Sequence, residues 1–169
     1  MSLPPAAAKI SYEKLAIERL LLELADLPDL QIYRGQALGN RFSPPEWQLR
    51  PAQGFQFGDL RFEAPTATIV IEFESAGGIT NLVKYWPLLT ARPLSKRLVL
   101  LHLFQIASSG DYIAHRRLWQ FLLERMQDDL RQRGPAYVAN WEAQLLTYHK
   151  GGFATEAATL IRTIRTASA

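Results

Sequence analysis

Apolar residues change their spacing along this chain, and each change marks an element. Leu15, Leu20, Leu24 and Leu27 recur near the helical period, and Ile17 and Leu21 widen the stripe. Ser11 can cap that helix and Pro28 stops it near Leu27. The segment "LQIYRGQ" reads as a short strand, and "ALGNRFSPPEW" as a loop punctuated by Gly39, Asn40 and the Pro44-Pro45 pair. From Gln48 to Pro65 one or two extended segments follow. "TATIVIEFES" is the clearest strand, with Ile69, Ile71 and Phe73 alternating against Thr68, Val70, Glu72 and Glu74. Gly77-Gly78 ends it. "ITNLVKYWPLLT" is helical, with Pro87 forcing a bend or a fresh start.

"KRLVLLHLFQI" is a continuous apolar strand, the pattern of a position covered on both faces. A long helix from about Tyr112 to Arg133 follows, its core stripe read as Leu118, Leu122, Met126 and Leu130, with Gly134-Pro135 as its end. "AYVANWEAQLLTYH" is read as a strand for part of its length, with a helix as the alternative. A last helix, "FATEAATLIRTIRTAS", turns Leu160, Ile161 and Ile164 inward. Residues 1–9 are Pro/Ala-rich and expected to fray. The order is that of one α/β domain with a mixed central sheet flanked by helices.

Composition adds boundaries. The 169 residues suffice for a single unstapled core, and 48% hydrophobic with 21% charged residues excludes disorder. Cysteine is absent, which excludes a disulfide scaffold and any thiolate chemistry and fits a reducing cytoplasm. No apolar run reaches the length of a membrane helix, and the N-terminus lacks the order of a signal peptide. The net charge of +3 permits a polyanionic partner without demanding one. Basic residues do cluster, in "HRRLWQ" and "RMQDDLRQR" on the long helix and in "IRTIRTAS" at the C-terminus. They read first as solvated helix faces and second as a nucleic-acid contact.

The candidate chemistry lies on the clearest strand. Side chains alternate, so Glu72 and Glu74 point to one face about 6–7 Å apart. Two carboxylates there need compensation from water, from basic side chains or from a divalent cation. A tight turn near Pro65 pairs "GDLRFE" with "TIVIEFE" as a hairpin and brings Asp59 opposite Glu72. On the following helix Asn81, Lys84 and Tyr85 share a face at i, i+3 and i+4. Other constellations fall away. There is no glycine-rich phosphate loop. His102, His115 and His149 are scattered, and His102 reads as a satisfied core residue. Trp47, Trp119 and Trp141 read as core before base-stacking groups.

These residues resemble the PD-(D/E)XK nuclease superfamily, the restriction-endonuclease-like fold with its αβββαβ core. That family's acid at the start of the second strand corresponds to Asp59, and its strand motif to Glu72-Phe73-Glu74. The helix motif of its DNA-end and branched-DNA members corresponds to Asn81-x-x-x-Tyr85. Glu74 stands where the family usually has lysine, Asn81 where Gln is usual, and Lys84 is placed as a displaced lysine. The resemblance implies a Mg²⁺- or Mn²⁺-dependent nuclease hydrolysing phosphodiester bonds of nucleic acid, DNA foremost. On that reading Asp59 and Glu72 hold the metal, and Glu74 is a further ligand or positions the attacking water. Lys84 stabilises charge on the phosphate, Asn81 and Tyr85 orient the site, and Glu18 or Glu23 adds to the metal shell. Restriction enzymes of this fold are often dimers, which makes a homodimer part of the same expectation. The alternatives are a catalytically degenerate member acting as a nucleic-acid-binding or protein-interaction module, and a plain α/β domain whose glutamates face solvent.

Overall fold

A computed structural model describes residues 18–20, 22–26, 31–34, 57–74, 78–106, 113–149 and 154–168. Within them the chain is a mixed α/β domain around a five-stranded sheet in the order β1-β2-β3-β4-β5. The strands are β1 (Gln31–Arg34), β2 (Leu60–Glu63), β3 (Ala67–Glu74), β4 (Arg97–Ile106) and β5 (Trp141–His149). The first three run antiparallel to their neighbours, while β3, β4 and β5 are parallel. Parallel neighbours need crossovers. A 3-10 segment (Gly78–Lys84) and α1 (Tyr85–Ala91) make the first, and α2 (Ile113–Arg133) with the short α3 (Pro135–Val138) makes the second. The C-terminal helix α4 is Ala154–Ser168. Expectations for the Ser11 cap, residues 1–9, the loop at 37–47, the extended segment at 48–54, Gly77 and Trp47 lie outside the described residues.

Two apolar layers sandwich the sheet. Ile69, Ile71, Phe73, Val99, Leu101 and Leu103 face Leu20 and Leu24 of the N-terminal helical segment and Ala157, Leu160 and Ile164 of α4. Val70, Leu98, Leu100 and Phe104 face Leu82, Tyr85, Leu88 and Leu89 of the first crossover and Trp119, Leu123, Met126 and Leu130 of α2. The continuous apolar run of β4 is thus covered on both faces, as its sequence predicts. Full burial of each such side chain is worth roughly 1.5–3 kcal/mol. An ion pair from Arg165 to Asp26 (2.7 Å) ties α4 to the N-terminal segment. No helix among the described residues is long and apolar enough to cross a membrane.

Three expectations change. The core stripe of α2 is Trp119, Leu123, Met126 and Leu130, whereas Leu118 is 45% exposed and Leu122 only partly buried. Two apolar stripes one residue apart run along that helix, and the bulkier Trp119 takes the seat over β4. The crossover after β3 begins as a 3-10 helix rather than an α-helix. Pro87 lacks an N–H and its ring would collide with the carbonyl four residues back, so α-helix starts only at Tyr85 with Pro87 in its first turn. Finally, β3 is buried along its whole length, Glu72 and Glu74 included. Glutamates facing solvent are thereby excluded.

Candidate active site

The site starts from a hairpin. Ala64 N–H donates to the Ala67 carbonyl (2.9 Å), which closes a turn over Pro65 and Thr66. The register runs Glu63 opposite Thr68 to Leu60 opposite Ile71, and Asp59 N–H then donates to the Ile71 carbonyl (2.8 Å). Asp59 therefore arrives beside Glu72, as the sequence predicts. The two strands lock each other there. Phe73 N–H donates to Asp59 Oδ2 (2.8 Å), and Gly58 N–H donates to Glu72 Oε1 (2.7 Å). Gly58 makes this possible at a φ of 84°. A Cβ at that position would lie 2.4 Å from Val70 Cγ1 and 2.9 Å from the Leu60 carbonyl oxygen.

The 3-10 segment closes the site from above. Residues three apart eclipse on such a helix, so Asn81 and Lys84 both reach β3. Asn81 Nδ2 donates to Glu74 Oε1. Lys84 Nζ lies 2.6 Å from Glu72 Oε1, and the Tyr85 hydroxyl donates to the same oxygen. The Tyr85 ring is fully buried, edge-on to Phe57 at 5.1 Å, which fixes where its hydroxyl points. Asp59, Glu72, Glu74, Asn81, Lys84 and Tyr85 are thus one constellation. The compensation that the two glutamates require comes in part from Lys84.

Burial dominates the electrostatics. Glu72 is pushed up by desolvation, against the opposing pull of the Lys84 ammonium and the Tyr85 hydrogen bond. Asp59 is also raised by burial, against the Phe73 N–H and Lys84. Glu74 rises from 4.5 to about 7, chiefly through burial, with Asn81 opposing and Glu72 and Asp59 adding to the rise. Tyr85 is held well above its usual range by burial and by Glu72, so its hydroxyl stays a donor.

His102 is a core residue, as its strand predicts, but among the described residues only one of its ring nitrogens is satisfied. It is fully buried beside Glu72 in the β3–β4 register. Its Nδ1 accepts from Trp119 Nε1 (2.8 Å), while Nε2 has no partner among the described residues. An indole N–H can only donate, so Nδ1 carries no proton and the ring is fixed as the neutral Nε2–H tautomer. Burial accordingly drives His102 down to about 3, with Lys84 adding to the effect. Its strand gave no sign of this, because the tryptophan that fixes it comes from the crossing helix. Glu18 is half-buried on the N-terminal segment, whose Leu20 and Leu24 pack against the other face of the sheet. The charges that move Asp59, Glu72 and Glu74 are Lys84 and one another, and Glu18 is not among them. Glu23 is exposed.

Among the described residues no three His, Asp or Glu side chains gather as a group that could hold a metal ion. The hydrogen bonds to Asp59, Glu72 and Glu74 fall on one oxygen of each carboxylate. Asp59 and Glu72 are a cross-strand pair with an oxygen each to offer. Mg²⁺ is ordinarily held by one or two carboxylates, with waters and substrate oxygens completing its shell. The residues fit a divalent cation on those terms and not as a closed three-acid cage. No family model, curated protein or solved structure matches this chain.

Proposed function

We propose that the chain is a Mg²⁺- or Mn²⁺-dependent phosphodiesterase acting on nucleic acid, DNA foremost, built on a restriction-endonuclease-like core. One observation carries the reading. Lys84 reaches from the 3-10 segment to Glu72 on β3, 2.6 Å away, where it could serve as the strand lysine does in that family. An antiparallel β1-β2-β3 unit followed by a crossover to a parallel β4 supports it. Asp59 and Glu72 would hold the cation, and a bound cation would supply Lewis acidity to the phosphate and to its water. The chain's own groups do the rest. Lys84 offsets charge that develops on the phosphate. Glu74, with a proton affinity near neutrality, takes the proton of the attacking water. Asn81 and Tyr85 hold Glu74 and Glu72 in place.

The test is a nuclease assay across Mg²⁺ and Mn²⁺ concentrations, with wild type against Asp59→Ala and Glu72→Ala. The expected result is metal-dependent cleavage that falls at least about 100-fold in both variants. Cleavage that survives both, or needs no metal, would sink the proposal. A second reading is a catalytically degenerate member of the same fold that binds nucleic acid or protein. It draws on Lys84 already neutralising Glu72 and on Glu74 at the position of the family lysine. Nucleic-acid binding without cleavage at any metal concentration selects it.

A further inference from the structure

On α2 four exposed residues stand four apart: Ile113, Arg117, Phe121 and Arg125. On a helix that spacing is one stripe. It alternates apolar and basic, and Arg125 lies over the Phe121 ring at 5.5 Å while that ring remains 53% exposed. Arg116 and Gln120 flank the stripe. Together with Arg117 they overhang a groove of about 600 Å³ floored by Ala143 and Leu145 of β5. No acidic residue lines it.

The register fixes where this groove lies. Glu72 pairs with His102, and His102 pairs with Leu145. Leu145 is therefore on the same sheet face as Glu72, two strands away, which is about 10 Å. Trp119 spans the interval, since it lines the groove and donates to His102. Arg116, Arg117 and Gln120 come from the first two turns of α2, and Glu72 and Glu74 end β3. Both features lie toward the carboxyl edge of the parallel strands, where α/β sheets ordinarily take their ligands.

We infer that this groove is the subsite that carries the nucleic-acid backbone past the acid site, with Arg116 and Arg117 on successive phosphates and Phe121 as a stacking platform for an unpaired base. The inference rests on the proposed function and names the strand-binding part of that site. Charge complementarity selects the occupant: a groove lined by Arg116 and Arg117 and by no acid, with the exposed Phe121 ring beside it on the same helix, fits a polyanion with planar bases, while Glu124 and Asp128 lie one turn further along, on Gln120 and Arg125.

The test is fluorescence anisotropy with a labelled single strand of roughly 16 nucleotides and its duplex, under chelator so that nothing is cut, over a salt series. In Arg116→Ala/Arg117→Ala the affinity should fall at least about tenfold at low salt. The slope of log affinity against log salt should flatten by about 1.4 for the strand and about 1.8 for the duplex, the contribution of two phosphates. Phe121→Ala should weaken the single strand about tenfold and leave the duplex unchanged. Arg131→Ala, in the last turn of the same helix and outside the groove, is the control that should change neither. All these side chains are exposed, so unchanged melting curves separate binding loss from unfolding. Affinity and slope unchanged in the double variant, with wild type cutting, would overturn the groove and leave the nuclease reading standing. Binding lost in the double variant while wild type cuts nothing would uphold the groove and overturn the nuclease reading. Wild type that binds neither probe overturns both.

Discussion

Lys84→Met removes the cation beside Glu72 while keeping most of the buried stem. The Lys84 side chain is 16% exposed and that of Glu72 3%, so the pair sits largely out of water. Breaking a buried pair from one side costs about 3–5 kcal/mol. Glu72 keeps its hydrogen bonds from Gly58 and Tyr85, which places the cost near the lower end, ~3 kcal/mol. The carboxylate also has an escape, which is to take a proton. That costs about 1.36 kcal/mol for each pH unit above its ordinary 4.5, hence about 4 kcal/mol near pH 7.5 but under ~1 kcal/mol near pH 5. The sign follows. A carboxyl with a raised folded pKa contributes stability in full below 4.5 and loses it as pH rises through the folded value. Thermal melts should therefore show the variant ~6–12 °C below wild type near pH 7.5 and within ~3 °C near pH 5, at about 2–4 °C per kcal/mol for a chain of this size. An equal deficit at both pH values, or none near neutrality, would refute the burial argument for Glu72.

Gly58→Ala forces a side chain onto a φ of 84° and a Cβ to within 2.4 Å of Val70 Cγ1. Strain of about 1–2 kcal/mol and overpacking of about 1–3 kcal/mol predict a loss of ~2–5 kcal/mol in urea unfolding. Activity should fall in the fraction that remains folded, because the Gly58 N–H moves off Glu72. In wild type, carbon NMR of Glu74 should titrate near 7 rather than 4.5, and its raised pKa should make the protein more stable as pH falls from about 8 to about 6.5. Below 6.5 His102 works the other way, since its depressed pKa gives stability above 6.5 that is lost toward 3 and offsets the Glu74 gain, which continues down to about 4.5; Glu74→Gln should therefore flatten the upper part of the profile and leave a net loss of stability as pH falls from about 6.5 to about 4.5. Mg²⁺ binding near pH 7, followed by calorimetry in two buffers, should release protons in wild type and release fewer in Glu74→Gln.

The hairpin and its acids were legible in the sequence because the information is local. A strand alternates with period two, and the Pro65 turn sets which residue meets which, so Asp59 opposite Glu72 follows from counting. The sequence also carried the common side of Asn81 and Lys84, since residues three apart lie together on an α-helix and on a 3-10 helix alike, with Tyr85 next to them where the α-helix begins. Burial was not legible. The cover over Glu72 and Glu74 comes from the crossovers, and nothing in "TIVIEFES" records it. The stripe of α2 that turns inward was not legible for the same reason: Leu118–Leu122 and Trp119–Leu123 are both apolar, and only the fit against β4 and β5 decides between them. His102 combines the two cases. Its place on β4 was readable, but the orientation of its ring is set by Trp119, 17 residues further on.

What the side chains leave over is charge. Three carboxylates face one ammonium, and the histidine on the same sheet face cannot help, because the Trp119 indole keeps it neutral. Ionised in full, the acids would leave the site two charges negative in a place where water is scarce, and such an excess is met by protons or by a cation. The raised pKa of all three acids is the proton answer, and it weakens as pH climbs. A divalent cation is the other answer, equal in charge to the deficit. The two compete for the same oxygens. On the proposed reading the lysine settles one charge and a divalent cation would settle the remaining two.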